Sequence, residues 1–128
     1  MPTITRRSID VSPPNSILFI SDIDGGTPPM PVRGAMILAS PSGVSVACYP
    51  EQDGPTTIVI GAMNEVALAV EPLFDGTIET PNGVLMASTS ELEKLMEAEG
   101  AKPRAHIRVW TNHPKWPDQI MIGVEAAL

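Results

Sequence analysis

The stretch Ser16-Ile17-Leu18-Phe19-Ile20-Ser21-Asp22-Ile23-Asp24-Gly25-Gly26-Thr27 decides how the rest of this chain is read. Four consecutive apolar residues, Ile17 to Ile20, suit a central strand buried on both faces. Behind them come a tight acidic turn, Asp22-x-Asp24-Gly25-Gly26, and a proline-rich loop, Pro28-Pro29-Met30-Pro31. Two carboxylates at i and i+2, held at the end of a buried strand, could bind a divalent cation or attack a phosphate. The same residues also suit a purely structural turn, with Asp side chains capping backbone N–H groups and two glycines able to take positive φ.

Outward from this strand, turn signals recur at short intervals. Ile4, Ile9 and Val11 are apolar but out of strict alternation, which predicts a weak strand with a bulge or an edge position in residues 3–11. Gly34 to Ala39 and Val44 to Tyr49 read as a hairpin around Ser40-Pro41-Ser42-Gly43, with Pro at i+1 and Gly at i+3 of a type I turn. Thr56 to Ile60 and Val66 to Glu71 read as a second hairpin turning near Met63-Asn64. Gly76 to Glu79 and Val84 to Ala87 read as a third, around Thr80-Pro81-Asn82-Gly83. Ser88…Glu91 and Ser90…Glu93 fit a capping box, with Leu92, Leu95 and Met96 on one stripe and Gly100 as a C′ residue, so a helix is predicted there. Ala105 to Thr111 and Ile120 to Val124 complete the pattern as two strands flanking the polar loop Asn112 to Asp118. The sum is a single domain over residues 1–128 that is mainly β. It is an antiparallel β-sandwich or strongly curved sheet of about eight or nine strands, with one short helix near residues 90–99.

Composition narrows the function. At 128 residues the chain can build a real core, and with 43% apolar but only 4% aromatic residues that core must be aliphatic. No run approaches the ~18 apolar residues of a membrane helix, and the Arg6-Arg7 start lacks an apolar signal segment, so a cytoplasmic protein with no membrane partner is expected. The formal charge of −7 argues against nucleic acid as a partner. Between Gly34 and Glu93 there is no Lys or Arg, whereas Glu51, Asp53, Glu65, Glu71, Asp75, Glu79, Glu91 and Glu93 are all acidic. Solubility explains such a distribution, and so does an acidic face complementary to a basic protein. Cys48 is the one cysteine; it shares a strand face with Val44 and Val46, as a buried, inert thiol would.

Among the remaining candidates, His106, Arg108 and Trp110 alternate on one strand face and suit a protein interface or a packed edge. His113 and Trp116 lie in the polar loop, where Trp116 is either an exposed anchor or a cap over the end of the sheet. No Gly-x-Ser-x-Gly elbow precedes a helix to make either histidine part of a triad. Asp22, Asp24, Glu51, Asp53 and Asp75, with Arg108, Trp110 and Trp116, are therefore the candidate contacts with a protein partner. No cofactor is implied, no catalytic residue is assigned, and any metal would use Asp22 and Asp24. A homodimer stays open.

Two resemblances bear on these residues. Over about nine residues, the strand and Asp22-x-Asp24-Gly resemble the first motif of the haloacid dehalogenase-like phosphatases, where the first Asp is the nucleophile and the second the general acid. The later Lys, acidic pair and alternating helices of that family have no counterpart here. As a calcium loop the same residues lack the third ligand, and Arg33 stands where the closing Glu belongs. More of the chain resembles the competence protein J family, inhibitors of a DNA-uptake nuclease, and similar immunity-type β-sandwich proteins. That likeness is carried by Thr27-Pro28-Pro29, a hairpin from Gly34, Asn82-Gly83-Val84, Arg108-Val109-Trp110-Thr111 and the apolar strand Ile120 to Val124. It implies a nuclease or toxin inhibitor with no catalytic residues of its own. A metal-dependent hydrolase built on the Asp22-x-Asp24-Gly turn, and a structural or phage-type assembly subunit, are the alternatives.

Overall fold

Ile17–Asp22 forms strand β2 at the middle of a five-stranded sheet, as its unbroken apolar run predicts. Leu18 and Ile20 are fully buried on one side of it, while Phe19 on the other is half-buried and Ile17 is 39% exposed. The computed structural model describes residues 4–30, 35–91, 93–113 and 117–125. Within them the chain runs β1 (Arg7–Val11), β2, β3 (Ile37–Ser40), β4 (Gly43–Ala47), β5 (Thr56–Ala62), α1 (Met63–Val66), β6 (Phe74–Glu79), β7 (Val84–Thr89), β8 (Lys94–Glu99), β9 (Arg104–Thr111) and β10 (Gln119–Val124).

The strands make two sheets of five, ordered β1-β5-β10-β9-β6 and β3-β4-β2-β7-β8, packed as a β-sandwich. Alternate residues of both sheets point inward. Ile58 and Ile60, Ile107 and Val109, and Ile120, Ile122 and Val124 meet Leu18, Ile20, Val44, Val46 and Leu85 in one aliphatic core. Each such side chain contributes roughly 1.5–3 kcal/mol by leaving water, so the period-2 pattern dominates the local choices made along the strands. The ladders are antiparallel except one: β10 lies parallel to β5, pairing Gly123 with Gly61. That pair has a purpose. A Cβ on Gly61 would stand 2.9 Å from Val66 Cγ1, and one on Gly123 would stand 3.0 Å from Met63 Sδ and 3.2 Å from Trp110 Cζ3. The two glycines let α1 settle directly onto the outer face of the first sheet.

Three local expectations are corrected. The predicted helix near residues 90–99 is strand β8, the edge of the second sheet. Thr89 Oγ1 accepts from the backbone N–H groups of Glu91 and Glu93, both at 3.2 Å, so the hydroxyl that could have capped a helix closes a hairpin turn instead. A bulge at Ala87/Ser88 lets consecutive residues Leu95 and Met96 both reach the core beside buried Ala98. Helix propensities differ by well under about 1 kcal/mol per residue, which this burial and a free edge on β7 outweigh. Second, Val66 to Glu71 is not a strand: the chain turns into α1, whose Val66 is buried on the glycine pair, and crosses as a loop to the far edge of the sheet. Third, Gly76–Glu79 and Val84–Ala87 do not pair with each other; β6 pairs with β9 and β7 with β2, so the turn at 80–83 carries the chain between sheets.

Cys48 is 1% exposed, and burial pushes its thiol up to about 12. At neutral pH it is a protonated core side chain, as its place among the valines suggests. An aromatic disulfide reagent should therefore leave the folded chain unmodified on the timescale in which it titrates one thiol in guanidinium. Rapid labelling of the folded form would contradict this burial.

Candidate functional site

Asp22 is 1% exposed at the end of β2. Its Oδ1 accepts from the Asn82 backbone N–H at 3.1 Å, and its Oδ2 accepts from Asn82 Nδ2 at 2.6 Å and from the Asp24 N–H at 3.2 Å. Asn82 Nδ2 also donates to Asp24 Oδ2 at 2.7 Å. The carboxylate's lone pairs are spent inside the protein, as a buried charge requires. Its effect is to tie the exit of β2 to the 80–83 turn. Among the described residues, no group of three or more His, Cys, Asp or Glu side chains is placed to hold a metal ion.

The acidic candidates are not gathered on one face. Glu51 and Asp53 lie in a 3-10 turn after β4, whose Ala47 pairs with Ile17 at the start of β2. They are thus separated from Asp22 and Asp24 by the length of that strand, roughly 17 Å. Asp75 sits elsewhere again, on the outer face of the first sheet. Trp116 lies outside the described residues. His113 is exposed in the β9–β10 loop, where its carbonyl accepts from Thr111 Oγ1 at 3.2 Å.

The outer face of the first sheet does assemble several of them. Asp75 pairs in register with Arg108, and Thr77 with His106. Arg108 Nε donates to Asp75 Oδ2 at 3.1 Å, and His106 Nε2 lies against Asp75 Oδ1. His106 Nδ1 stands 3.5 Å from Glu125 Oε2, and Glu125 is bonded on its other oxygen to Lys102. The result is a continuous chain, Lys102–Glu125–His106–Asp75–Arg108, running across β9 and its neighbours. The hydrogen bond with His106, then the charge of Arg108, hold the Asp75 carboxyl below its ordinary range. Glu125 is held low chiefly by Lys102, with His106 contributing.

Trp110, expected at a contact surface, is instead 2% exposed. It does point to the outer face with His106 and Arg108, but Val59, Val66, Met63 and Met121 close over it. Its indole N–H donates to the Val70 carbonyl at 2.9 Å. Trp110 therefore positions the 67–73 loop, and the loop presents what the tryptophan does not. Leu68, Val70 and Leu73 are exposed, Val70 by 64%. Exposed Glu71 and the Asp75–Arg108 pair flank them across a shallow depression of about 520 Å³. An apolar centre with a charged rim is the anatomy of a protein-binding surface.

Leu68, Val70, Glu125 and Lys102 escaped the sequence reading. Val66, Leu68 and Val70 alternate like strand residues, and nothing local reveals that only Val66 goes inward. No family model, curated protein or solved structure matches this chain.

Asp22→Ala should lower the unfolding free energy by about 1–2 kcal/mol, because it strips a buried carboxylate that clamps three partly buried donors at the end of β2. The loss should be the same in millimolar magnesium, calcium or chelator; a cation-dependent melting temperature of the parent chain would return Asp22 and Asp24 to a metal site. A second expectation concerns acid. Because the folded chain holds Asp75 and Glu125 below their ordinary range, the stability they lend is complete above about pH 5 to 6 and is lost progressively as pH falls below that. Melting temperatures of the parent and of Asp75→Asn with Glu125→Gln should differ at neutral pH and converge toward about pH 2. Parallel curves would show that the network contributes nothing.

Proposed function

We propose that this chain is a small acidic cytoplasmic protein that binds a basic protein partner and restrains it, as an inhibitor or immunity-type protein does a nuclease or toxin. The observation that carries this reading is the apolar loop Leu68-Val70-Leu73, flanked by Glu71 and Asp75 and held from beneath by Trp110. It lies within the span from Gly34 to Glu93 that contains no cationic residue. A nuclease presents cationic groups where phosphates bind. Carboxylates arranged on a rigid sheet can take the place of those phosphates, while exposed aliphatic side chains supply the desolvated centre that gives affinity. The resemblance of residues 16–124 to the competence protein J family implies the same class of function.

The direct test is titration of the purified chain into a DNA-uptake nuclease, with DNA hydrolysis and complex formation as readouts. Stoichiometric inhibition is expected, with an association rate that falls markedly between about 20 mM and about 300 mM salt. Leu68→Ser with Val70→Ser should weaken the complex by about tenfold or more. Trp110→Phe, which keeps the ring but removes the donor to Val70, should weaken it less while leaving the sheet folded. Unimpeded DNA hydrolysis at a large excess of the chain would overturn the reading.

A further inference from the structure

The second sheet carries a different feature, independent of the acidic face. Its outer surface is not the polar face that an antiparallel sheet usually turns to water. Ile17 and Phe19 of β2, Leu38 of β3 and Met86 of β7 point outward, while their neighbours Ser45, Ala47 and Ser88 are small. Large apolar side chains beside small ones leave a trough. The loop after β2 roofs one side of it with Pro28 and Pro29, enclosing a cavity of about 440 Å³.

The roof is fixed by the protein itself. Thr27 N–H donates to Ser42 Oγ at 2.8 Å, and Ser40 Oγ donates to the Thr27 carbonyl. A Cβ on Gly26 would overlap the Ser42 carbonyl oxygen, so the loop lies directly on the β3–β4 turn. The trough is thus formed before anything occupies it, and its volume falls within the range of small-molecule sites.

We propose that this trough binds an uncharged, mainly apolar small molecule with one hydrogen-bonding group. Among the described residues that line it none is Asp, Glu, Lys, Arg or His, so an ionised group would lose its hydration there with no counter-charge from them to replace it. Ser88 Oγ is turned to the Phe19 carbonyl at 3.5 Å, and the Ser90 hydroxyl to the Pro14 carbonyl at 3.2 Å. The Ser45 hydroxyl, on the floor and paired in register with Phe19, has no hydrogen-bond partner among the described residues. It is the polar contact the ligand would use.

The full chain is titrated with the neutral fluorophore N-phenyl-1-naphthylamine, then competed with hexadecan-1-ol and with hexadecanoate. Saturable one-to-one binding is expected, with the alcohol displacing the probe at least about tenfold more effectively than the anion. Ala47→Trp, which fills the floor, should abolish binding, whereas Leu68→Ser on the other sheet should leave it intact. Methyl NMR on the parent chain covers the case in which Ala47→Trp does not fold: probe-induced shifts should centre on Ile17, Leu38 and Met86. Three results would overturn the proposal: no saturable binding, shifts centred on Leu68 and Val70, or equal competition by the anion. A stable dimer in sedimentation that Met86→Asp dissolves would also overturn it, by giving the trough to a second copy of the chain.

Discussion

The architecture depends on the clamp between the Asp22 carboxylate and Asn82. β2 is the centre of the second sheet, and the 80–83 turn is one of two places where the chain leaves the first sheet for the second. Both oxygens of Asp22 are engaged there, one by the Asn82 N–H and one by the Asn82 side chain. The backbone reinforces the junction: Ile23 N–H donates to the Val84 carbonyl at 2.9 Å, and Ala101 N–H to the Gly83 carbonyl at 2.9 Å. A buried carboxylate is costly unless its lone pairs are filled, so this residue tolerates one arrangement of the crossing and penalises others. The acidic turn that resembles a phosphatase motif thereby holds the two sheets in register at one end.

With the core filled by aliphatic residues of both sheets, the outer faces are left to differ. On the first sheet the Gly61–Gly123 pair admits α1, and α1 with Met121 seals Trp110. The indole then fixes Val70, leaving a short apolar ridge beside a ladder of paired charges. On the second sheet no helix descends among the described residues; the proline-rich loop pinned at Thr27 covers part of an apolar strand face with Pro28 and Pro29. Both faces follow from small residues placed beside large ones. On one side the space is filled by the chain itself, and on the other it is left as a trough.

Much of this was legible from residue pattern alone. The run Ile17 to Ile20 marked the central strand, the valines around Cys48 marked a buried thiol, and Ile107, Val109, Ile120 and Ile122 marked the paired strands β9 and β10. The candidate site was legible only in fragments. Asp75, His106 and Arg108 were singled out as residues, but their joining with Glu125 and Lys102 depends on the register of β6 on β9 and on the chain emerging beside His106 after β10. Trp110 was chosen for the right face and the wrong exposure. Whether an outward tryptophan meets water or a covering helix depends on residues some fifty positions away.

The amino-acid order settled the class of the fold, its aliphatic core and the acidic bias, because alternation, turn chemistry and charge are properties of neighbouring residues. It also marked β2 as a central strand, although only its inner face, with Leu18 and Ile20, is fully buried, and Ile17 and Phe19 line the trough on the other. Long-range pairing settled the rest. It made 94–99 a strand, because a free edge on β7 and burial of Leu95, Met96 and Ala98 outweigh a weak helical preference. It also divided β6 from β7 between sheets, laid β10 parallel to β5 and turned Asp22 from a potential ligand into a clamp. Each of these outcomes is a balance between a local preference of about a kilocalorie and burial worth several, and the larger quantity is known only when the distant partner is in place.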